Sequence, residues 1–134
     1  MIVVDTSALV AIAFSEPERA VFTERILSTD RVLISTVSAL ETRMVVHGRR
    51  GERAVLLVDE LLRLPMFEIV AAGKEEMDCA YAAFITYGRG SGHPAGLNFG
   101  DVFSYALAKV RGLPLLFKGN DFAQTDLVPA WLPD

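Results

Sequence analysis

The chain has 134 residues, a net charge of −4 at neutral pH and a hydrophobic fraction of 51%. This length predicts one domain, residues 1–134, with a core that needs no disulfide. No uninterrupted run of about 18 apolar residues occurs, which excludes a membrane-spanning segment, and Asp5 interrupts the N-terminal apolar run, which argues against a secretory signal. The acidic balance argues against a broad basic surface for nucleic acid. With one cysteine, Cys79, neither a disulfide framework nor a cysteine zinc site is possible, and we expect a cytoplasmic protein.

Apolar runs and helical apolar patterns alternate along the chain. Strands are predicted at residues 1–4, 32–34, 67–70 and 115–117, with a last one near 127–128. Helices are predicted at about 7–14, 16–28, 37–49, 52–64, 74–87 and 100–111, and a glycine-rich loop covers 88–98. This alternation predicts an α/β fold in which helices cover both faces of a parallel sheet.

Four acidic residues fall where a helix follows a strand or enters the sheet from a loop. Asp5 ends the first strand, Glu41 lies about one and a half turns into the helix after the second strand, Asp101 begins a helix, and Asp121 follows the fourth strand. Because strand-to-helix connections share one edge of a parallel sheet, these four acids can converge there.

Converging carboxylates repel one another and raise one another's pKa unless a cation lies between them. Mg²⁺ and Mn²⁺ prefer oxygen ligands and would remove this repulsion. One or two such ions suit the in-line attack of water on a phosphodiester. No histidine stands near these positions, so a carboxylate of the cluster or a metal-activated water must act as the base.

Four short motifs carry a resemblance to a known family. Asp5-Thr6-Ser7-Ala8, Ser38-x-x-Glu41, Asn98-x-x-Asp101 and Lys118-Gly119-Asn120-Asp121-Phe122 resemble PIN-domain ribonucleases, and more narrowly the VapC toxins of type II toxin–antitoxin pairs. Each motif alone occurs by chance, but four in this order and spacing are specific, and the likeness covers essentially the whole chain. The resemblance implies a PIN-like three-layer sandwich with a five-stranded parallel sheet in the order 3-2-1-4-5. It also implies endonucleolytic cleavage of RNA that depends on Mg²⁺ or Mn²⁺.

The resemblance also assigns roles to individual residues. Asp5 and Asp101 would be the principal metal ligands, and Glu41 would bind the metal directly or through water and help to activate the attacking water. Asp121 would complete the site; because the family varies most at this fourth position, Asn120 and Asp126 remain alternatives to it. Three further side chains would donate hydrogen bonds to the carboxylates or to phosphate: Thr6, Ser7 and Asn98.

The family likeness implies partners as well. A small VapB-like antitoxin would wrap an apolar groove formed by the N-terminal helices, and the toxin would form a homodimer and a hetero-oligomer with it. Phe14, Val21, Phe22 and residues along 52–64 are candidates for that groove. Burial of the same residues in the chain's own core, or in a homodimer contact, is equally compatible with the sequence.

Other interpretations of the sequence are alternatives to a toxin nuclease. Taken singly, Asp5 is a good helix cap and Asp101 suits the positive end of a helix dipole. A receiver domain also gathers acids at strand ends, but the mid-chain acid available as its phosphoacceptor, Asp59, lies in a helical pattern. A housekeeping PIN nuclease shares every motif named above.

Overall fold

The computed structural model describes all residues from Met1 to Asp134. Its sheet has four parallel strands in the order β3-β2-β1-β4: β1 (Ile2–Val4), β2 (Val32–Ser35), β3 (Phe67–Val70) and β4 (Leu115–Leu116). The helices are α1 (Thr6–Ala13), α2 (Arg19–Leu27), α3 (Thr36–Arg50), α4 (Glu52–Leu62), α5 (Lys74–Tyr87) and α6 (Phe99–Arg111). The predicted α/β class and parallel sheet are confirmed.

The sheet separates two apolar layers, because successive strand residues point to opposite faces. Ile2 and Val4 face the layer built by α1, α2, α3 and α4. Val3 and Leu33 face the layer built by α5 and α6. Burying a side chain as completely as Leu33 stabilises the fold by about 1.5–3 kcal/mol. Both strand faces are therefore apolar, which is why the strands appear in the sequence as unbroken apolar runs.

The predicted fifth strand is wrong as a strand. Beside β4 the chain makes one isolated parallel bridge, between Leu115 and Pro129. Two hydrogen bonds hold it: Leu115 N–H donates to Val128 O at 2.9 Å, and Ala130 N–H donates to Leu115 O at 2.8 Å. These bonds use Val128 O and Ala130 N–H, and no second bridge lies beside them, so the pairing is too short to form a strand. The segment occupies the place expected of the fifth strand, with one bridge in place of a ladder.

Phe22 belongs to the core and not to a surface groove. It is fully buried, and its ring packs edge-on against Trp131, with the ring centroids 5.4 Å apart. In contrast, Leu57 of α4 is more than half exposed and lines a groove of about 260 Å³ between α1 and α4. None of the helices has both the length and the apolar character that crossing a membrane requires.

Candidate active site

Asp5 is buried at the carboxyl end of β1, with 3% of its surface exposed. One carboxylate oxygen, Oδ2, accepts the backbone N–H of Ser7 at 2.9 Å, which caps α1. The other, Oδ1, accepts the hydroxyl of Ser104 at 2.6 Å. A buried carboxylate needs such partners because it loses its hydration. Asp5 is therefore a helix cap, as the sequence also allowed. Capping alone does not explain the hydrogen bond from Ser104.

Asp101 lies in the first turn of α6 and forms a reciprocal capping box with Asn98. The Asn98 side-chain oxygen accepts Asp101 N–H at 2.9 Å, and Asp101 Oδ2 accepts Asn98 N–H at 3.0 Å. Burial raises the pKa of Asp101 to about 6, although the Asn98 N–H opposes this shift. The charges of Asp5, Glu41 and Asp121 add to the rise. Asp101 is thus held in an environment that disfavours its own negative charge.

Glu41 reaches the same region from α3. Burial raises its pKa, the neighbouring Thr6 hydroxyl lowers it, and the charge of Asp5 raises it further. Its carboxylate packs against Gly100: a Cβ added there would lie 2.6 Å from Glu41 Cδ. Only a residue without a side chain leaves this space, so Gly100 makes room for the glutamate.

These three acids line one open cleft of about 450 Å³ at the carboxyl edge of the sheet, together with Thr6 and Ser7. Two cationic side chains also line it, Arg49 and Lys118. The Lys118 ammonium lies 2.9 Å from Glu16 Oε1 and 3.3 Å from Glu18 Oε1. The Glu16 hydrogen bond is the main cause of a raised pKa of Lys118, so this cation stays charged. Glu16 lines the cleft as well, so the lining carries four acids and two cations, and one of the cations is already paired with a carboxylate.

The candidates for the fourth position lie apart from this lining. Asp121 is exposed ahead of a short 3₁₀ turn (Phe122–Gln124), although its charge is felt at Asp101. Asn120 borders a neighbouring cavity that Trp131 also lines. Asp126 accepts the Tyr105 hydroxyl at 2.5 Å and the Lys109 ammonium at 2.7 Å, and the Lys109 hydrogen bond is the main reason why the pKa of Asp126 is lowered. Of the two carboxylates among these candidates, Asp121 is the one whose charge contributes to the raised pKa of Asp101.

Several residues of this region were not singled out as site residues from the sequence. Ser104 stands three residues after Asp101, so the two share a helix face. A serine within the apolar stripe of α6 was the available signal for it. No sequence pattern indicated the role of Gly100, because a glycine in a helix usually indicates only a lower helix stability. Asn98, in contrast, is exposed and its side chain is used by the capping box, outside the cleft lining.

The donor set suits a hard divalent cation. No three His, Cys, Asp or Glu side chains come close enough together to enclose one ion. Mg²⁺ does not need such a cage, because it keeps several waters and binds through one or two carboxylates. A cation in the cleft would also offset the unfavourable burial and mutual repulsion that raise the pKa of Asp101 and Glu41. Asp5, Glu41 and Asp101 therefore fit Mg²⁺ or Mn²⁺ in an open, hydrated site.

The fold and the acidic cleft together define a family. The family model described as "PIN domain" matches residues 2–128. The chain belongs to the PIN-domain family.

Within that family, the chain groups with the VapC ribonucleases. It is 47% identical over 132 residues to Ribonuclease VapC30 of Mycobacterium tuberculosis strain H37Rv, covering 98% of this chain and 99% of that protein. It is 45% identical over 125 residues to a Ribonuclease VapC of Mycolicibacterium smegmatis, covering 93% of this chain and 96% of the relative. The family expected from the four motifs is confirmed.

Solved structures of lower identity support the fold. Mycobacterium tuberculosis VapC20, described as a toxin that cleaves the sarcin-ricin loop, aligns with a TM-score of 0.79 at 18% identity, covering 96% of this chain and 97% of that one. A chain of the VapBC2 complex from Rickettsia felis aligns with a TM-score of 0.73 at 17% identity, covering 96% of each chain. At such identities the likeness concerns the arrangement of strands and helices.

Proposed function

We propose that this chain is an endoribonuclease that depends on Mg²⁺ or Mn²⁺ and is the toxin of a type II toxin–antitoxin pair. The observation that carries the proposal is the convergence of Asp5, Glu41 and Asp101 on one cleft. The names of its relatives, which are ribonucleases, supply the substrate class.

Each side chain has a role in the proposed reaction. Asp5 and Asp101 hold the cation, which when bound lowers the pKa of water and offsets charge on the scissile phosphate. Glu41 accepts a proton from the attacking water, for which its raised pKa makes it a better base than an exposed glutamate. Water adds to phosphorus as the bond to the departing ribose oxygen breaks, and that oxygen takes up a proton from solvent.

The border of the cleft supplies the contacts with RNA. Lys118 and Arg49 are the positive side chains of the lining, and we assign them to the phosphate backbone. Thr6 and Ser7 line the same cleft; the Thr6 hydroxyl donates to Ser38 O at 3.0 Å, and the Ser7 hydroxyl accepts the Lys118 backbone N–H at 3.0 Å. Asn98 acts indirectly, by holding the start of α6. Asp121 contributes charge at longer range.

The proposed partner is a VapB-like antitoxin, and its proposed seat is the groove between α1 and α4. Ile12, Leu57 and Leu61 line that groove, and Leu57 is more than half exposed. We also propose that the toxin forms a homodimer, that it assembles with the antitoxin into a hetero-oligomer, and that both proteins work in the cytoplasm.

The activity is tested with purified protein and a structured RNA. Cleavage is expected with Mg²⁺ or Mn²⁺, none with EDTA, and full recovery when excess cation is restored, because the acids need the ion to act together. Gel analysis of the products checks this result. A preparation that has bound cation, shown by an independent titration, and still leaves a panel of structured RNAs intact would contradict the proposal.

The toxin role is tested separately from the nuclease activity. Expression of the chain alone is expected to stop growth, and co-expression with the short reading frame next to its gene is expected to restore it. Growth curves with a quantified level of soluble protein measure both effects. Normal growth at a confirmed level of active nuclease would favour the housekeeping alternative.

A further inference from the structure

We propose that Ser104 and Ser38 are positioning residues that orient the Asp5 carboxylate through a buried chain of hydroxyl groups. This inference rests on the proposed function, because it assigns to Asp5 a cation to hold. It concerns two side chains that lie behind the cleft and touch neither solvent nor substrate.

The chain of hydroxyls is short and completely buried. Ser104 Oγ lies 2.6 Å from Asp5 Oδ1, and Ser38 Oγ lies 2.9 Å from Ser104 Oγ. Both serines have 0% of their surface exposed. The three residues come from different elements, since Asp5 follows β1, Ser38 lies in α3 and Ser104 lies in α6. The contact therefore joins three elements at the edge of the sheet.

The direction of the hydrogen bonds follows from the number of protons. An ionised carboxylate only accepts, so Ser104 must give its one hydroxyl proton to Asp5. The bond between the serines must then be donated by Ser38 and accepted by Ser104. Both donors point toward Asp5, and bonds aligned in this way strengthen one another. The two hydroxyl groups therefore both donate in the direction of the Asp5 carboxylate.

The hydrogen bond to Asp5 explains why a serine occupies position 104 of α6. Its neighbours on the helix, Val102, Tyr105 and Ala106, all belong to the apolar core. A hydroxyl in such surroundings costs free energy unless it is hydrogen-bonded. An alanine would fill the position and favour the helix. The serine is thus explained by the carboxylate that it contacts.

The consequence for Asp5 is a fixed orientation. Oδ2 is held by the backbone N–H of Ser7 and Oδ1 by Ser104, so neither oxygen can turn without breaking a bond. A carboxylate has about four lone-pair sites, so both oxygens keep capacity for a cation. Outer partners that orient ligands in this way are typically worth 10–100-fold in metal affinity or activity.

The test compares Ser104→Ala and Ser38→Ala with the parent protein after metal is removed. Free Mn²⁺ is followed by electron paramagnetic resonance during a titration, which gives a Kd without any RNA. We expect Ser104→Ala to raise the Kd for Mn²⁺ by about 10–100-fold. Ser38→Ala should have a smaller effect of the same sign, because the bond from Ser104 to Asp5 remains. In cleavage assays at saturating Mn²⁺, kcat should fall and the KM for RNA should change little.

Thr42→Val is the matched control. Thr42 is also fully buried in α3, donates to Ser38 O at 2.7 Å, lies 3.3 Å from the Thr6 hydroxyl and makes no hydrogen bond to a carboxylate. Removal of the Thr42 hydroxyl should lower thermal stability and leave the Kd for Mn²⁺ within about threefold of the parent. This change is smaller than the roughly 10–100-fold effect expected of a residue that orients a metal ligand. If Ser104→Ala raises the Kd no more than Thr42→Val does, the positioning role is overturned and the serines are merely structural. A parent that neither binds Mn²⁺ nor cleaves RNA overturns the proposed function as well, so the two failures are distinguishable.

Discussion

Replacing Asp101 by asparagine is expected to abolish RNA cleavage and, at the same time, to stabilise the metal-free protein. Activity should fall by at least about a hundredfold, because a proposed ligand is lost and not merely an outer partner of one. The capping box should survive, since the asparagine side-chain oxygen can still accept the Asn98 N–H. A loss of activity without a loss of folding would separate catalysis from structure at this residue.

The gain in stability follows from the raised pKa of Asp101. Its value of about 6 lies above the ordinary 3.8, so the folded protein binds this proton more tightly than the unfolded chain does. The free energy of unfolding should therefore fall as pH rises from about 4 to above 6, and Asp101→Asn should lack this fall. After a discount for partial exposure, the variant should be more stable at pH 7 by about 1–2 kcal/mol.

Urea unfolding at pH 4.5 and pH 7, with EDTA present, measures this difference. Asp126→Asn is the matched control, because the same chemical change is made at a carboxylate outside the cleft lining. It should keep cleavage activity and should not gain stability at pH 7. If Asp101→Asn is less stable than the parent at pH 7 without metal, the ionised Asp101 carboxylate does not destabilise the folded protein and the prediction is wrong.

Replacing Gly100 by alanine should damage activity far more than stability. The new methyl group would occupy the place of the Glu41 carboxylate, with its Cβ 2.6 Å from Glu41 Cδ. Because Glu41 is a flexible side chain, it can swing away at little cost, and alanine favours the helix by up to about 1 kcal/mol. A displaced general base is costly, since a shift of about 1 Å can reduce a rate by about a hundredfold. Steady-state cleavage and thermal unfolding, measured on one preparation, check both effects.

Gly48→Ala provides the comparison. Gly48 lies within α3, and a Cβ there would meet nothing within 4 Å. This variant should gain up to about 1 kcal/mol in stability and keep full activity. Equal activity of Gly100→Ala and Gly48→Ala would show that Glu41 needs no fixed position.

Much of the architecture was accessible from the sequence because strands buried on both faces appear as short apolar runs. The runs at 2–4 and 32–34 are of this kind, whereas Phe67–Val70 is a partly exposed edge strand that contains Glu68. The last strand was overpredicted, since Leu127-Val128 has the right composition but the segment makes a single bridge with β4. The second helix was predicted from Glu16 and begins at Arg19. Ser15 there has a positive φ of 53°, and backbone turns of this kind leave little trace in composition.

The acidic residues of the cleft were also accessible, because each follows a recognisable boundary of an element. The contacts of their supporting residues were not, although Ser38 and Asn98 stand in the motifs quoted above. Ser104 and Ser38 are 66 positions apart in the sequence, and no local pattern predicts their contact. Asp121 and Asp126 look alike in the sequence, and only the packing of Tyr105 and Lys109 against Asp126 separates them.

The capping box between Asn98 and Asp101 has a consequence beyond the geometry of one helix. The loop before it is closed at its base, where Leu97 N–H donates to Tyr87 O and Arg89 N–H donates to Leu97 O. The base of the loop is thus tied to the first turn of α6, which carries Asp101. If a ligand that reshapes this loop changes the affinity of Asp101 for a cation, thermodynamic linkage requires the cation to change the affinity for that ligand by the same factor.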